Sequence, residues 1–221
     1  MEQEYFHSVT LDKGKCKGCT NCIKHCPTEA IRVRSGKAVI IRERCIDCGE
    51  CIRVCPYHAK KAVTDSPEII RHYKYKIALP APSLYGQYGS GYSRERIVNA
   101  LKDVGFDYVY EVARAAEIVT HATEQYMKNK EIKKPVISSA CPAVVRLIQV
   151  RFPNLIDNLL KIESPMEVAA ALSKQEVHEK FGIPTEEIGA FFISPCAAKV
   201  TSVKAPYENK KSRVDGVLAM K

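Results

Sequence analysis

The sequence predicts two folds in one chain, a small cysteine-rich α+β module and then an α/β domain with a mainly parallel sheet. Eight of the ten cysteines lie between residues 16 and 55, and the first 65 residues hold too few large apolar side chains to fold alone. Later in the chain, strand-like apolar runs alternate with helix-like segments, as in parallel sheets that helices cover on both faces. We therefore expect a module over 1–65, a linker over 66–76 and the α/β domain over 77–221.

The cysteines of the module form two runs with the same spacing. Each run reads C-x2-C-x2-C-x3-C-P, and the second begins 29 residues after the first. This is the spacing of bacterial two-cluster ferredoxins, in which the fourth cysteine of each run ligates the other cluster. It predicts a ferredoxin-like domain with two 4Fe–4S clusters, one held by Cys16, Cys19, Cys22 and Cys55, the other by Cys45, Cys48, Cys51 and Cys26.

Zinc sites and disulfides are the alternatives for so many cysteines. Zinc ribbons use separated pairs of C-x2-C, and disulfides give no reason for triplets at this spacing. The doubled pattern therefore favours iron–sulfur clusters. In small modules of this kind, metal binding and folding are a single event.

Short strands are expected around the two cysteine loops, paired as two hairpins related by the repeat. In the α/β domain, helices are predicted after Ser93, from Arg114, from Pro142 and after Ser164, which forms a capping box with Glu167. The predicted strands are 9–11, 31–33, 38–41 and 62–63 in the module, then 76–84, 107–113, 135–140 and 187–194.

Charge and hydropathy limit the possible partners and compartments. The formal net charge is +9, and two oxidised cubanes with their thiolates would reduce it to about +5. Because the basic residues are scattered, nucleic-acid binding is disfavoured. The sequence contains no 18-residue apolar run, so no membrane span is predicted. It begins without an apolar leader, so no secretory signal is predicted. We expect a cytoplasmic protein, since cluster thiolates need a reducing compartment.

Two cysteines lie outside the module, and each follows a predicted strand. Cys141 lies in SSACPAV just before a helix, and Cys196 lies in ISPCAAK. A single cysteine at such a place is usually a small buried apolar residue. However, ligands in parallel sheets bind beyond the carboxyl ends of strands. Two such cysteines behind an electron-transfer module favour a further metal site.

The segments around these cysteines resemble two signatures of iron-iron hydrogenase catalytic domains. The first is SSACPAVVRLIQVRFPNLIDNL with ESPMEVAAALSK, and the second is ISPCAAK. The resemblance covers 76–221, and the module is similar to the accessory clusters of those enzymes. It implies an H-cluster, a 4Fe–4S cluster joined to a di-iron subsite, with Cys141 and Cys196 as ligands. It also implies cofactor binding by Pro195 and Lys199, with Lys199 bonded to a cyanide of the di-iron subsite.

The sequence departs from the family pattern at three places. Ala140 replaces the cysteine that serves as proton relay, Ser202 stands where a glutamate of the proton path is expected, and the third signature, with two further ligands, is absent from these 221 residues. We therefore expect the hydrogenase-like domain to be incomplete here. No catalytic residue is predicted.

The Ala140 replacement resembles the sensory branch of the family. The resemblance implies an anaerobic redox protein that passes electrons through two clusters to a slow or sensory hydrogenase-like domain. Its partners would be a redox protein such as ferredoxin and a fused or separate signalling domain. The alternatives are an electron-transfer module without an H-cluster that binds a redox or signalling partner, and a regulatory protein with purely structural clusters.

Overall fold

The computed structural model describes residues 6–89, 91–128, 132–206 and 211–220. The chain forms two compact units. Unit 1 comprises Met1–Thr64, Lys133–Leu160 and Cys196–Asn209, and unit 2 comprises Asp65–Ile132, Lys161–Pro195 and Lys210–Lys221. The division at 65 and 76 stays a prediction about folding domains. Within unit 1, contacts join the cysteine-rich module to two segments that are distant in sequence.

The module of unit 1 contains four short strands and two one-turn helices near the predicted positions. They are β1 (Val9–Leu11), α1 (Asn21–Lys24), β2 (Ile31–Arg34), β3 (Lys37–Ile40), α2 (Glu50–Arg53) and β4 (Lys60–Ala62). The prediction of two hairpins is wrong. Strands β2 and β3 form an antiparallel hairpin, whereas β1 pairs with β4. Only β2 and β3 are joined by a tight turn, in which Ser35 and Gly36 both have the positive φ typical of a hairpin.

The sequence repeat is also a backbone repeat. Helix α2 begins 29 residues after α1. Left-handed backbone conformations recur with the same offset, so that each cysteine loop turns at equivalent positions although the residue types differ. The pairs with positive φ are Gly18 and Asp47, Thr20 and Gly49, and Glu29 and His58.

Unit 2 is built on a four-stranded parallel sheet, which confirms the predicted fold class. Its strands are β5 (Tyr75–Pro80), β6 (Tyr108–Val109), β7 (Ile188–Ile193) and β8 (Gly216–Leu218), in the order β6-β5-β7-β8. The remaining α-helices of the described residues are α3 (Pro82–Tyr85), α4 (Arg94–Asp103), α5 (Val112–Met127), α6 (Pro142–Arg151), α7 (Pro165–Phe181) and α8 (Ala197–Lys204). Helices α6 and α8 belong to unit 1, and the other four belong to unit 2.

Helices pack on both faces of the sheet. Phe191 and Ile193 of β7 lie in a buried cluster with Leu84 of α3 and Ile97 of α4. Because side chains alternate along a strand, Phe192 lies on the opposite face. Helix α7 contacts β5 and β7 and covers that side.

Three predicted elements differ from the structure. Residues Pro67–His72, within the predicted linker, form a 3-10 helix whose Ile70 is buried in the core of unit 2. The strand predicted at 135–140 is absent, since Ile137 makes only an isolated bridge to Leu159. The strand predicted at 107–113 is reduced to β6, because α5 already begins at Val112.

The two serine caps behave differently. The Oγ of Ser93 accepts a hydrogen bond from the N–H of Arg96 at 3.2 Å, as predicted for the start of α4. Ser164 precedes α7 without a side-chain cap bond. The predicted capping box is wrong because the Glu167 carboxylate accepts bonds from Ser212 Oγ and Arg213 N instead.

Candidate metal centres

The structure brings the eight cysteines of the module together in the two predicted sets of four. Each set lines its own cavity, and the fourth cysteine of each run lies with the three cysteines of the other run. The first cavity is lined by Cys16, Cys19, Cys22 and Cys55, and the second by Cys26, Cys45, Cys48 and Cys51. Each cavity therefore offers the four thiol ligands of a cubane.

Backbone N–H groups point at three of these sulfur atoms. Donation from the N–H of Ala38 lowers the pKa of Cys16 and outweighs the opposing effect of burial. Burial would raise the pKa of Cys55, but several backbone N–H groups together lower it. The bonds to sulfur are Ala38 N to Cys16 Sγ at 3.4 Å, Ala30 N to Cys26 Sγ at 3.2 Å and Ala59 N to Cys55 Sγ at 3.3 Å.

The second set contains the buried Cys45 and the half-buried Cys51. Burial raises the pKa of Cys51 to about 12, and burial together with the Asp47 carboxylate raises the pKa of Cys45 to about 12. Thiolates are retained in such surroundings when bound cations compensate their charge, because a coordinating metal removes the thiol proton. The donor chemistry of the cavity therefore fits an iron–sulfur core.

A buried lysine lines the first cavity. Lys60 is only 3% exposed, and its Nζ has no hydrogen-bond partner among the described residues. An ammonium group without a partner is costly to bury. Because a cubane with its four thiolates is an anionic group, it would compensate this charge. The orphaned Nζ thus supports the fit of the first cavity to a cluster.

A buried acid lines the second cavity. Asp47 is 2% exposed, and its carboxylate lies 2.8 Å from Nδ1 of His7 and accepts the N–H of Val9 at 3.0 Å. The other contact is with Cys45, whose Sγ is 3.7 Å from Oδ1. Sequence reasoning missed Lys60, Asp47 and His7. For Lys60 and Asp47 the available signal was the 29-residue repeat, which aligns Lys60 with Ile31 and Asp47 with Gly18.

The two cysteines outside the module occupy equivalent helix positions. Cys141 immediately precedes α6 and is exposed, and Cys196 immediately precedes α8 and is half-buried. Helices α6 and α8 contact each other within unit 1. Both thiols therefore lie at the positive ends of neighbouring helices.

Lys199 connects the two hydrogenase-like segments. Its Nζ donates a hydrogen bond to the carbonyl oxygen of Ala140 at 2.9 Å. Ser202 donates from Oγ to the backbone carbonyl of Lys199 at 2.9 Å. Pro195 is exposed and directly precedes Cys196. The structure thus brings Lys199 to the residue before Cys141, and that residue has only a methyl side chain.

The same segments contact the cysteine-rich module within unit 1. Ser8, next to β1, is fully buried, and its Oγ donates to the carbonyl of Ala197 at 2.7 Å. Thr201 of α8 donates from Oγ1 to Ser8 Oγ at 3.0 Å. From α6, Arg146 donates to the carbonyl of Glu43 at 3.4 Å. Both segments are therefore anchored on the module.

Two families of known proteins match most of this chain. A profile described as iron only hydrogenase large subunit, C-terminal domain, matches residues 74–221, and one described as a 4Fe-4S dicluster domain matches residues 8–56. The chain belongs to the iron-only hydrogenase large-subunit family. It carries a 4Fe–4S dicluster domain followed by a hydrogenase-like domain.

The curated relatives of this family member are longer proteins. The periplasmic Fe hydrogenase large subunit of Nitratidesulfovibrio vulgaris is 30% identical over 217 residues, which cover 90% of this chain and 52% of that protein. Iron hydrogenase 1 of Clostridium pasteurianum is 28% identical, with 92% of this chain and 40% of that protein covered. The cytosolic Fe-S cluster assembly factor nar1 of Aspergillus terreus is 27% identical, with 52% and 18% covered. The chain thus spans about half or less of the length of these relatives.

Solved FeFe hydrogenases share the fold. A structure that describes oxygen inactivation of an FeFe hydrogenase has a TM-score of 0.54 and 19% identity, with 72% of this chain and 42% of that chain covered. An FeFe hydrogenase from Chlamydomonas reinhardtii has a TM-score of 0.51 and 20% identity, with 71% and 42% covered. At these identities the likeness concerns the fold alone.

A search of the helices for membrane spans gave a negative result. Among the described residues, every helix is too short or too polar to cross a bilayer.

Proposed function

We propose that this chain passes electrons through two 4Fe–4S clusters to a hydrogenase-like domain that reports hydrogen or redox state, or turns hydrogen over slowly. The clusters, when bound, supply one-electron transfer, and the protein supplies their ligands and surroundings. The grouping of the eight cysteines supports the electron path. Both hydrogenase-like segments are anchored on the module, which supports an electron path that leads toward Cys141 and Cys196. We place the protein in the reducing cytoplasm.

Ala140 carries the slow or sensory part of the proposal. The Lys199 bond holds the backbone of residue 140 beside Cys141. An alanine side chain can neither donate nor accept a proton. Proton delivery at this position is therefore absent, while ligand binding and electron transfer do not require it. A sensor needs a change in the ligand occupancy or the reduction state of its cluster, and it does not need rapid turnover of hydrogen.

The test is infrared spectroscopy on the full natural protein, expressed anaerobically with hydrogenase maturation factors. Iron-bound carbon monoxide and cyanide absorb in a region where polypeptide does not. Bands that shift under hydrogen would support a di-iron centre in this protein. If the iron content matches two cubanes and these bands are absent, the hydrogenase-like part of the proposal fails and electron transfer alone remains.

Substitution of Ala140 separates slow turnover from complete inactivity. A positioned general acid or base typically contributes about 10²–10⁴-fold to rate. We therefore expect Ala140→Cys to raise hydrogen turnover about a hundredfold. Ala140→Ser is the matched control, because its side chain has a similar size and a hydroxyl that ionises far less readily than a thiol. Equal turnover in the two variants would refute the relay argument.

A second candidate is an electron-transfer module without an H-cluster, which binds a redox protein such as ferredoxin or a signalling domain. The exposed Cys141 favours it, because that thiol is open to solvent whereas Cys16 and Cys45 of the module are buried. The fungal relatives named as cluster assembly factors suggest a related role in iron–sulfur assembly. A protein that holds two cubanes, lacks the infrared bands and reduces or binds such a partner would favour this candidate.

A further inference from the structure

The two cluster cavities are related by the repeat but differ in buried charge. Lys60 lies in the first cavity, and its repeat partner Ile31 lies in the second. We propose that Lys60 raises the reduction potential of the cluster held by Cys16, Cys19, Cys22 and Cys55 above that of the other cluster. The first cluster is then reduced before the second, and a single electron in the module is held there at equilibrium. This inference rests on the proposed function with its two clusters, and it adds the order of their reduction potentials.

The placement of Lys60 makes it a fixed charge beside the first cluster. Its side chain lines the cavity of Cys16, Cys19, Cys22 and Cys55, and its Nζ has no bond to any other described side chain or backbone group that would neutralise it. Lys60 therefore lies beside the ligands of the first cluster.

The second cavity has the opposite character. Ile31 is 3% exposed and apolar, so no cation replaces Lys60 there. At the position equivalent to Gly18, the second loop has Asp47, whose carboxylate is buried beside Cys45. His7 is its partner and offsets part of this charge when protonated. Lys60 lines the first cavity and does not line the second, so we expect it to raise the first potential more than the second.

The physical step is a one-electron reduction without proton transfer. A one-electron donor is oxidised, and the cluster with its four thiolates passes from about −2 to about −3 in net charge. Lys60 stabilises the added negative charge. Because the site is buried, this interaction is screened less than one at the surface. Asp47 acts in the opposite direction on the second cluster, which widens the difference between the two potentials.

The experiment compares Lys60→Met with Lys61→Met in the full chain, by anaerobic dithionite titration followed by electron paramagnetic resonance. Lys61 is the matched control because its side chain is 60% exposed and paired with Asp12. We expect Lys60→Met to lower the equilibrium constant for reduction of the first cluster at least tenfold, about 59 mV for one electron. Lys60→Arg and Lys61→Met should shift it much less.

The same titrations show which signal belongs to which cluster and which results would overturn the inference. Cys48→Ser alters the signal of the second cluster, so the higher-potential signal should survive unchanged in that variant. If Lys60→Met assembles poorly, the unaltered protein still decides, since two equal potentials would overturn the inference. Unchanged potentials in a fully loaded Lys60→Met would also overturn it. A wild-type protein that binds no clusters would instead refute the proposed function.

Discussion

Gly18 is expected to be more sensitive to substitution than Gly49, although both have a left-handed backbone. Their φ values are +68° and +79°. A Cβ atom at Gly18 would lie 2.6 Å from the carbonyl oxygen of Gly36, in the turn between β2 and β3. A Cβ atom at Gly49 would have no described atom within 4 Å. The pair therefore separates backbone strain from steric clash.

The expected magnitudes follow from these two contributions. A left-handed conformation costs an ordinary residue about 1–2 kcal/mol, and both Gly18→Ala and Gly49→Ala incur this cost. Only Gly18→Ala must also displace the backbone of Gly36, and overpacking of this kind typically costs about 1–3 kcal/mol. Since 1.36 kcal/mol corresponds to a tenfold change in rate, Gly18→Ala should lose its clusters roughly tenfold to a hundredfold faster than Gly49→Ala.

The assay follows the visible iron–sulfur absorbance of the anaerobic holoprotein in mild denaturant. The rate of its decay measures cluster loss in each variant, with the unaltered protein as reference. Equal rates for Gly18→Ala and Gly49→Ala would refute the close approach between the first cysteine loop and the β2–β3 turn. Thr20, which is exposed and has a φ of +67°, is a residue with a Cβ atom in the same backbone conformation.

Two further predictions concern unit 2. Ser93→Ala should lower the free energy of unfolding by about 1 kcal/mol, the usual value of an N-cap, because Ser93 caps α4. Ser164→Ala should change this free energy far less, because Ser164 makes no side-chain cap bond. Equal losses of the two variants in chemical denaturation would contradict this difference. The side-chain hydrogen bond from Arg94 lowers the pKa of Glu111. The pair therefore stabilises the protein above the ordinary carboxyl pKa, and this contribution is lost as the pH falls through the lowered value. Glu111→Gln should reduce the acid dependence of the denaturation midpoint, and an unchanged pH profile would refute the assignment.

The charge asymmetry between the cavities bears on the direction of electron flow. Lys199 and Ala140 join the hydrogenase-like segments to each other, and Ser8 anchors one of them on the module. Under the proposed function, an electron would leave the module toward these segments. If Lys60 sets the order of the two potentials, the same residue affects how readily the module delivers that electron.

Much of the module could be predicted from the sequence because its ligands are local. Three cysteines of each set lie within seven residues, and the two-cluster ferredoxin pattern assigns the fourth to the other run. The sets around the two cavities match this expectation. The parallel sheet of unit 2 was also predictable, since strand-like and helix-like periods alternate along the chain.

The features that depend on contacts between distant residues were decided by the tertiary structure. Glu167 bonds to residues 212 and 213 in place of a local cap, and β1 pairs with β4 although a hairpin was expected. The burial of Lys60 and the bond from Lys199 to Ala140 are of the same kind. Local spacing determines which residues can form a ligand loop. Only the packed chain determines which charges lose water, because burial is a property of all neighbours together.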